Sequence, residues 1–153
     1  MLEGLINLLK NGNRSETTNL PNLQMNSTKI VEKELSYQLG GIFFSIQNEC
    51  GRFYKERQYG DVFAMKLQEI SLSFQREAPF EIGGRESNFI DFVICGRIVV
   101  ELKAKPFLSK EDFLQVKRYL AVSGIELGLL VNFQDKYLKP RRILNTNLKT
   151  SLS

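Results

Sequence analysis

The sequence predicts a mixed α/β domain, in which helices cover the faces of a mixed β-sheet. Three observations lead to this fold class. Apolar residues recur at helical spacing near residue 40, two short apolar runs flank a tight turn at 95–97, and a strand–helix–strand unit follows. Such a unit makes a right-handed crossover, and its two strands are parallel. The predicted order is helix, helix, three strands, helix, strand.

The first 30 residues are predicted to be a flexible N-terminal arm. The opening MLEGLINLLK is too short to span a bilayer and lacks the cleavage site of a signal peptide. Residues 11–29 are rich in Asn, Ser and Thr and have no apolar period. The domain is therefore predicted over residues 31–146, and residues 147–153 are predicted to be a disordered tail.

Two helices are predicted at the start of the domain. The first begins near residue 32 and ends at Gly51, and its apolar face is formed by Leu35, Leu39, Ile42, Phe43 and Ile46. The second is predicted from about Phe53 to Gln68. Gly60 lies inside it and lowers helix stability by roughly 1 kcal/mol relative to alanine.

Three strands are predicted next. Residues 71–82 indicate an extended segment that contains Pro79, a residue typical of edge strands and bends. Residues 88–94 and 98–104 form two apolar runs around the tight turn and predict a hairpin. Pro106 ends the third strand.

A helix and a central strand complete the predicted core. Ser109 and Asp112 form a capping box at the start of this helix, and Gly124 stands where its C-cap belongs. The continuous apolar run at 125–133 is typical of a central strand. A short edge strand is predicted around Arg142 to Leu144.

Composition excludes several catalytic systems. The chain of 153 residues contains no histidine, which excludes Ser–His–Asp and Cys–His nucleophile systems. Cys50 and Cys95 lack metal-ligand spacing and are predicted to be reduced thiols in a cytoplasm. The net charge of +4 is compatible with a polyanionic partner. Carboxylates, lysine, tyrosine and an oxygen-binding metal remain as the chemical tools.

Charged residues interrupt the predicted hairpin. Glu101 and Lys103 point to the same face of their strand, about 7 Å apart. Asp91 lies on the partner strand, where the hairpin can bring it close to Glu101. Two carboxylates this close repel each other unless a cation lies between them, and Mg²⁺ or Mn²⁺ prefers such oxygen ligands. Lys103 can then position or deprotonate an attacking water, or neutralise a phosphoryl transition state.

The alternative for these residues is an exposed Glu–Lys pair at the end of a strand. Glu56 lies on the apolar face of the second predicted helix, as a third metal ligand or as an exposed residue at the edge of that face. Gln115 and Tyr119 share one side of the third helix, where they contact substrate or are ordinary surface residues.

These motifs resemble the PD-(D/E)xK nuclease superfamily, with Asp91 and the triplet Glu101–Lys103 in place of its signature and QVKRY in place of Q-x-x-x-Y. More closely, residues 34–145 resemble the bacterial GxxExxY protein family, whose name motif FYKERQY matches at Glu56 and Tyr59. Phe53 stands where that motif has glycine, and Ile90 stands where the superfamily signature has proline.

This resemblance implies a restriction-endonuclease-like core and a Mg²⁺- or Mn²⁺-dependent hydrolase of phosphodiester bonds in DNA or RNA. Glu56, Asp91 and Glu101 would bind metal, Asp91, Glu101 and Lys103 would be catalytic, and Tyr59, Gln115 and Tyr119 would position substrate. Phosphate contacts would come from Lys136, Lys139, Arg141 and Arg142.

Two alternatives share the same fold. A non-catalytic module would bind nucleic acid in a metal-independent, salt-sensitive manner. A partner-binding protein would use the carboxylates and Lys103 as a buried ionic network. The small domain leaves room for a protein partner that supplies specificity, and no membrane contact is expected.

Overall fold

Five strands form one mixed sheet in the computed structural model, which describes residues 29–149 without the side chains of residues 85–87, 148 and 149. The sheet order is β1-β2-β3-β4-β5. Its strands are β1 (Phe74–Ile82), β2 (Arg85–Ile94), β3 (Ile98–Lys103), β4 (Leu127–Asn132) and β5 (Arg141–Leu144). The predicted arm lies almost entirely outside the described residues, and part of the predicted tail lies outside them as well. The domain limits therefore remain predictions.

The sheet combines an antiparallel half with a parallel crossover. β1, β2 and β3 are antiparallel neighbours, β3 and β4 are parallel, and β5 returns antiparallel to β4. The crossover between β3 and β4 is helix α3 (Lys110–Ser123). The predicted mixed α/β class, the hairpin and the edge position of the Pro79 strand are confirmed.

Two further helices cover the other face of the sheet. Helix α1 (Lys33–Cys50) buries Leu35, Leu39, Phe43 and Ile46, and α2 (Glu56–Glu69) packs beside it. A 3₁₀ turn follows β5 at Thr146–Lys149. Among the residues that the structure describes, no helix has the length and hydropathy of a membrane span.

Helix α2 begins three residues later than predicted. The tyrosine hydroxyl of Tyr59 donates to the carbonyl of Gly51 (2.6 Å) and accepts from the amide of Tyr54 (3.2 Å), which holds residues 51–54 in a turn. Phe53, the predicted first residue of this helix, therefore lies outside it and is exposed, whereas Tyr59 is buried in the core. The later start puts Glu56 at the first helical position.

Gly128 lets α3 approach β4 closely. A Cβ atom at this position would lie 2.5 Å from Cγ1 of Val116, a stiff β-branched side chain. Gly128→Ala is expected to lower the free energy of unfolding by about 1–3 kcal/mol, the usual effect of overpacking a core. Gly41→Ala on α1 is the matched control, because no atom lies within 4 Å of its added Cβ.

Urea unfolding of both variants checks this prediction. The control is expected to gain up to about 1 kcal/mol from the higher helix propensity of alanine. Equal stability of the two variants would show that the contact between α3 and β4 tolerates a methyl group at Gly128.

Candidate metal and catalytic site

Two carboxylates lie where the β2–β3 ladder ends. Backbone pairing runs from Ile94 with Ile98 to Phe92 with Val100, and Asp91 and Glu101 are the next residues on the two strands. The amide of Asp91 donates to Oε2 of Glu101 (3.2 Å). The amide of Leu102 donates to Oδ2 of Asp91 (2.8 Å). Each carboxylate therefore bonds an amide of the opposite strand, which fixes both side chains at this point.

Glu56 joins these two groups from the first position of α2. One oxygen each of Glu56, Asp91 and Glu101 lies within 4.8 Å of the others. Glu101 is buried, Asp91 is half-buried and Glu56 is exposed, so the group extends from the sheet to solvent. Asp91 and Glu56 line a cavity of about 500 Å³, which Arg57, Gly60, Arg76, Glu77, Phe92 and Leu102 complete.

Burial raises the pKa values of these carboxyl groups. It raises the pKa of Glu101 to about 8, with a further contribution from the charge of Asp91 and against the charge of Lys103. Burial also raises the pKa of Asp91, against the hydrogen bond from Leu102. Desolvation of the cavity side of Glu56 raises its pKa as well, against the charge of Lys103. The metal-free cluster thus resists full ionisation.

The donor set fits a hard divalent cation. Three carboxylates present oxygen atoms close enough to share one ion, and oxygen ligands are those that Mg²⁺ and Mn²⁺ prefer. An ion here would offset the mutual repulsion that otherwise favours protonation of Glu101. The residues present therefore fit a divalent metal, with Glu56, Asp91 and Glu101 as its protein ligands.

Lys103 lies beside this cluster as a charged ammonium. Its Nζ is 3.5 Å from Oε1 of Glu101 and 3.8 Å from Oδ1 of Asp112. Burial alone would lower the pKa of Lys103, but the carboxylates of Glu101, Glu56, Asp112 and Asp91 outweigh it and raise that pKa. Of the roles predicted for Lys103, an electrostatic one therefore fits the metal-free geometry best.

Asp112 is a fourth carboxylate at the site, and its ionic contacts were missed by sequence reasoning. Its predicted capping box is present, since the amide of Ser109 donates to Oδ2 of Asp112 (2.6 Å). The same oxygen lies 2.5 Å from Nζ of Lys105. Although burial opposes it, hydrogen bonds from Lys105 and Ser109 lower the pKa of Asp112. The capping pattern of α3 was the only sequence signal for this residue.

Arg76 is a second residue that the sequence did not identify. It lines the cavity from β1, pairs with Asp61 (Nη1–Oδ1 2.8 Å) and lies over the ring of Phe92 at 5.5 Å. Gly60 makes room for it, because a Cβ there would lie 2.7 Å from Nη2 of Arg76. Gly60 inside the predicted helix was the available signal in the sequence. The sequence did not indicate that Arg76 packs against it.

The predicted substrate-positioning residues occupy different environments. Gln115 lies near the site, where its amide donates to the carbonyl of Phe89 (3.3 Å), two residues from Asp91. Tyr119 is buried edge-on against Phe80, with ring centroids 5.0 Å apart, and lines a separate groove of about 400 Å³. Tyr59 is fully buried and stacks on Phe133 at 4.3 Å. Tyr59 has no exposed surface with which to contact a substrate.

The predicted phosphate-contacting residues lie at and before β5. Lys136, Lys139, Arg141 and Arg142 are all exposed. Nη1 of Arg142 donates to the hydroxyl of Ser36 (2.7 Å) and its Nη2 to the carbonyl of Val31, so this guanidinium is bound to the start of α1. Lys136 lies over the ring of Tyr137 at 5.6 Å. The phosphate-contact prediction is thus weakest for Arg142.

A protein-family model matches most of the chain. The model of the PD-(D/E)XK nuclease superfamily matches residues 33–143, which include all the carboxylates of the site. A search of curated proteins finds no match.

Two solved structures are similar in part. One is an alkaline exonuclease, LHK-Exo, from Laribacter hongkongensis, with 13% identity and a TM-score of 0.43 over 58% of this chain and 55% of that one. The other is the protein SSO0001, with 21% identity and a TM-score of 0.39 over 56% of this chain and 50% of that one. This chain thus spans about half the length of either structure.

Proposed function

The chain belongs to the PD-(D/E)XK nuclease superfamily, and on this premise we propose that it hydrolyses phosphodiester bonds of DNA or RNA with a divalent metal ion. The observation that carries the proposal is the convergence of three carboxylate oxygens within 4.8 Å of one another, beside the ammonium of Lys103. Glu101 and Asp91 carry carboxylates that are buried or half-buried, which is costly to the metal-free fold, and a bound cation would offset this cost.

Glu56, Asp91 and Glu101 would hold Mg²⁺ or Mn²⁺. When bound, such an ion supplies a water of lowered pKa and stabilises charge on a phosphate oxygen. The chain itself binds and orients the substrate. Lys103 contributes positive charge where negative charge develops during phosphoryl transfer, and its carboxylate neighbours keep it protonated at neutral pH.

Other cations of the chain would hold the nucleic acid. Arg76 lines the cavity and offers a guanidinium to a phosphate near the carboxylates. Gln115 lies close enough to the site to orient the same strand. Lys136, Lys139 and Arg141 are exposed and would contact phosphates farther away.

We further propose that the chain is a member of the bacterial GxxExxY family. The support for this is that the motif FYKERQY supplies Glu56 to the site and Tyr59, whose hydroxyl bonds the turn before α2. Cys50 and Cys95 are free thiols, which fits a reducing cytoplasm. A protein partner would supply the specificity of cleavage.

A cleavage assay tests the proposed function. Single- and double-stranded DNA and RNA are incubated with wild type in Mg²⁺, in Mn²⁺ or in chelator. Cleavage is expected only with metal, and Lys103→Ala is expected to reduce it about 10²–10³-fold, the usual effect of removing one group that stabilises charge in the transition state. Lys117→Ala is the matched control, because Lys117 is exposed on α3. Salt-sensitive binding without cleavage, in folded wild type, would favour the non-catalytic module instead.

Gly60→Ala is expected to separate activity from stability. The added methyl group displaces the guanidinium of Arg76, the end of a flexible side chain whose ion pair with the exposed Asp61 contributes little to stability. The free energy of unfolding is therefore expected to stay equal or rise by up to about 1 kcal/mol, through helix propensity. Cleavage is expected to fall, because Arg76 leaves the cavity.

Urea unfolding and cleavage kinetics, measured on the same preparation, check the Gly60→Ala prediction. The Gly41→Ala variant serves as control, with the same gain in helix propensity and full activity. Full activity of Gly60→Ala would show that Arg76 is not needed near the carboxylates.

A further inference from the structure

Exposed aromatic side chains concentrate near the candidate site. Four aromatic residues within the described range are more than three-quarters exposed: Tyr37 (85%), Phe53 (76%), Phe107 (84%) and Tyr137 (81%). The last three lie on loops that join α1 to α2, β3 to α3 and β4 to β5. We call these the rim loops, residues 51–55, 104–109 and 133–140.

Hydrogen bonds hold the three rim loops together at one end of the sheet. The side chain of Asn132, at the end of β4, donates to the carbonyl of Lys105 (2.8 Å) and accepts from its amide (3.1 Å). Nε of Arg52 donates to the carbonyl of Gln134 (3.0 Å). Because Asn132 is buried, its hydrogen bonds hold the backbone just after β3 in a fixed position. The exposed aromatic residues are therefore carried by a connected framework.

The rim borders the acidic site on two sides. Glu56 directly follows the first rim loop, and Lys103 directly precedes the second. The amide of Phe133, in the third loop, donates to the carbonyl of Lys103 (2.9 Å). A strand of nucleic acid that crosses the rim thus passes the carboxylates.

The rim loops are basic as well as aromatic. They carry five basic residues and a single acidic one, Asp135; the basic residues are Arg52, Lys55, Lys105, Lys136 and Lys139. The carboxylate of Asp135 accepts a hydrogen bond from Asn132 (3.1 Å), and Lys105 is held by Asp112. Positive charge interleaved with exposed rings is complementary to a polyanion that presents flat apolar surfaces.

We propose that the rim is a platform for single-stranded nucleic acid, on which unpaired bases stack against Phe53, Phe107 and Tyr137. The basic residues of the loops meet the backbone phosphates. In a duplex the base faces are stacked on one another and cannot contact the three aromatic rings, whereas the face of every unpaired base can stack on a ring. This inference rests on the proposed function and narrows its substrate to single strands or frayed ends.

Equilibrium binding in chelator tests the platform without cleavage. Fluorescence anisotropy is measured with labelled deoxythymidine and uridine oligonucleotides of about 20 nucleotides and with a DNA duplex of equal length, all at one salt concentration. Wild type is expected to bind single strands at least about tenfold more tightly than duplex. The two single-stranded probes distinguish DNA from RNA as the preferred strand.

Variants of matched exposure sharpen this test. Phe107→Ala and Tyr137→Ala are each expected to weaken single-strand binding about fivefold or more, the usual contribution of one stacked base. Tyr37→Ala is the control, because Tyr37 is equally exposed but lies about 15 Å along α1 from Gln47, the α1 residue that bonds the third rim loop. Its binding is expected to equal that of wild type.

Several results would overturn the platform. They are equal affinity for duplex and single strands, unchanged binding by Phe107→Ala and Tyr137→Ala, and wild-type binding by Phe107→Leu, which keeps an apolar surface but cannot stack. The proposed function fails separately. If single-strand binding depends on the aromatic residues but the protein never cleaves, the nuclease proposal is contradicted and the platform stands. If the alanine variants keep full metal-dependent cleavage, the platform is contradicted and the nuclease proposal stands.

Discussion

Glu101→Gln is expected to abolish metal-dependent cleavage while leaving the metal-free protein at least as stable as wild type. Glutamine keeps the shape of the side chain and an oxygen that accepts from the amide of Asp91. It removes a buried negative charge that repels Asp91. Cleavage is expected to fall by at least about 100-fold, since even the partners of metal ligands contribute about 10–100-fold.

Cleavage kinetics and urea unfolding at pH 8 check this result together. Glu69→Gln is the matched control, because Glu69 is exposed at the end of α2, far along the helix from Glu56. The control is expected to match wild type in both measurements. A Glu101→Gln protein that loses activity only because it unfolds would contradict a metal-binding role for this carboxylate.

The metal-free protein is expected to lose stability as the pH rises from about 5 to 8. The pKa of Glu101 is about 8 in the folded chain, against an ordinary value of 4.5, so the folded state binds the proton more tightly than the unfolded state. The stabilisation is therefore complete below the ordinary value and is lost as Glu101 ionises. The loss is expected to be on the order of a few kcal/mol.

Two features make this pH dependence specific. The raised pKa values of Asp91 and Glu56 act in the same direction, and the chain has no histidine to titrate in the same window. Thermal unfolding in chelator across this range measures the effect, and Glu101→Gln is expected to flatten it. Mn²⁺ is expected to restore stability at pH 8, because it binds only the folded cluster. An unfolding temperature that does not change with pH would show that ionisation of Glu101 does not destabilise the folded chain.

The core of the site could be predicted because it depends on strand geometry. Alternation within β3 puts Glu101 and Lys103 on one face, and the hairpin register brings Asp91 beside them. Their convergence with Glu56 needed only that α2 begin near the open end of this hairpin. Local pattern and hairpin topology were sufficient to bring Asp91, Glu101 and Lys103 together, whereas for Glu56 the pattern left open an exposed position, and the resemblance to the family favoured the ligand.

Other residues depend on tertiary contacts that no local pattern contains. Tyr59 was assigned to substrate because it matches the family motif, and the hydrogen bonds by which its hydroxyl holds the turn before α2 could not be predicted from the sequence. Asp112 was fully explained as a cap, although it also binds Lys105. The position of Arg76 in the cavity depends on the close packing of its side chain against Gly60.

Calorimetric titration of Mn²⁺ into wild type and Glu101→Gln at pH 7 tests the central claim most directly, which is that the three carboxylates form a divalent metal site. Wild type is expected to bind Mn²⁺ with release of a proton, because the pKa of Glu101 lies near 8 in the absence of metal. The variant is expected to bind at least about 10–100-fold more weakly. Folded wild type that binds no Mn²⁺, or a variant that binds it equally well, would contradict the claim.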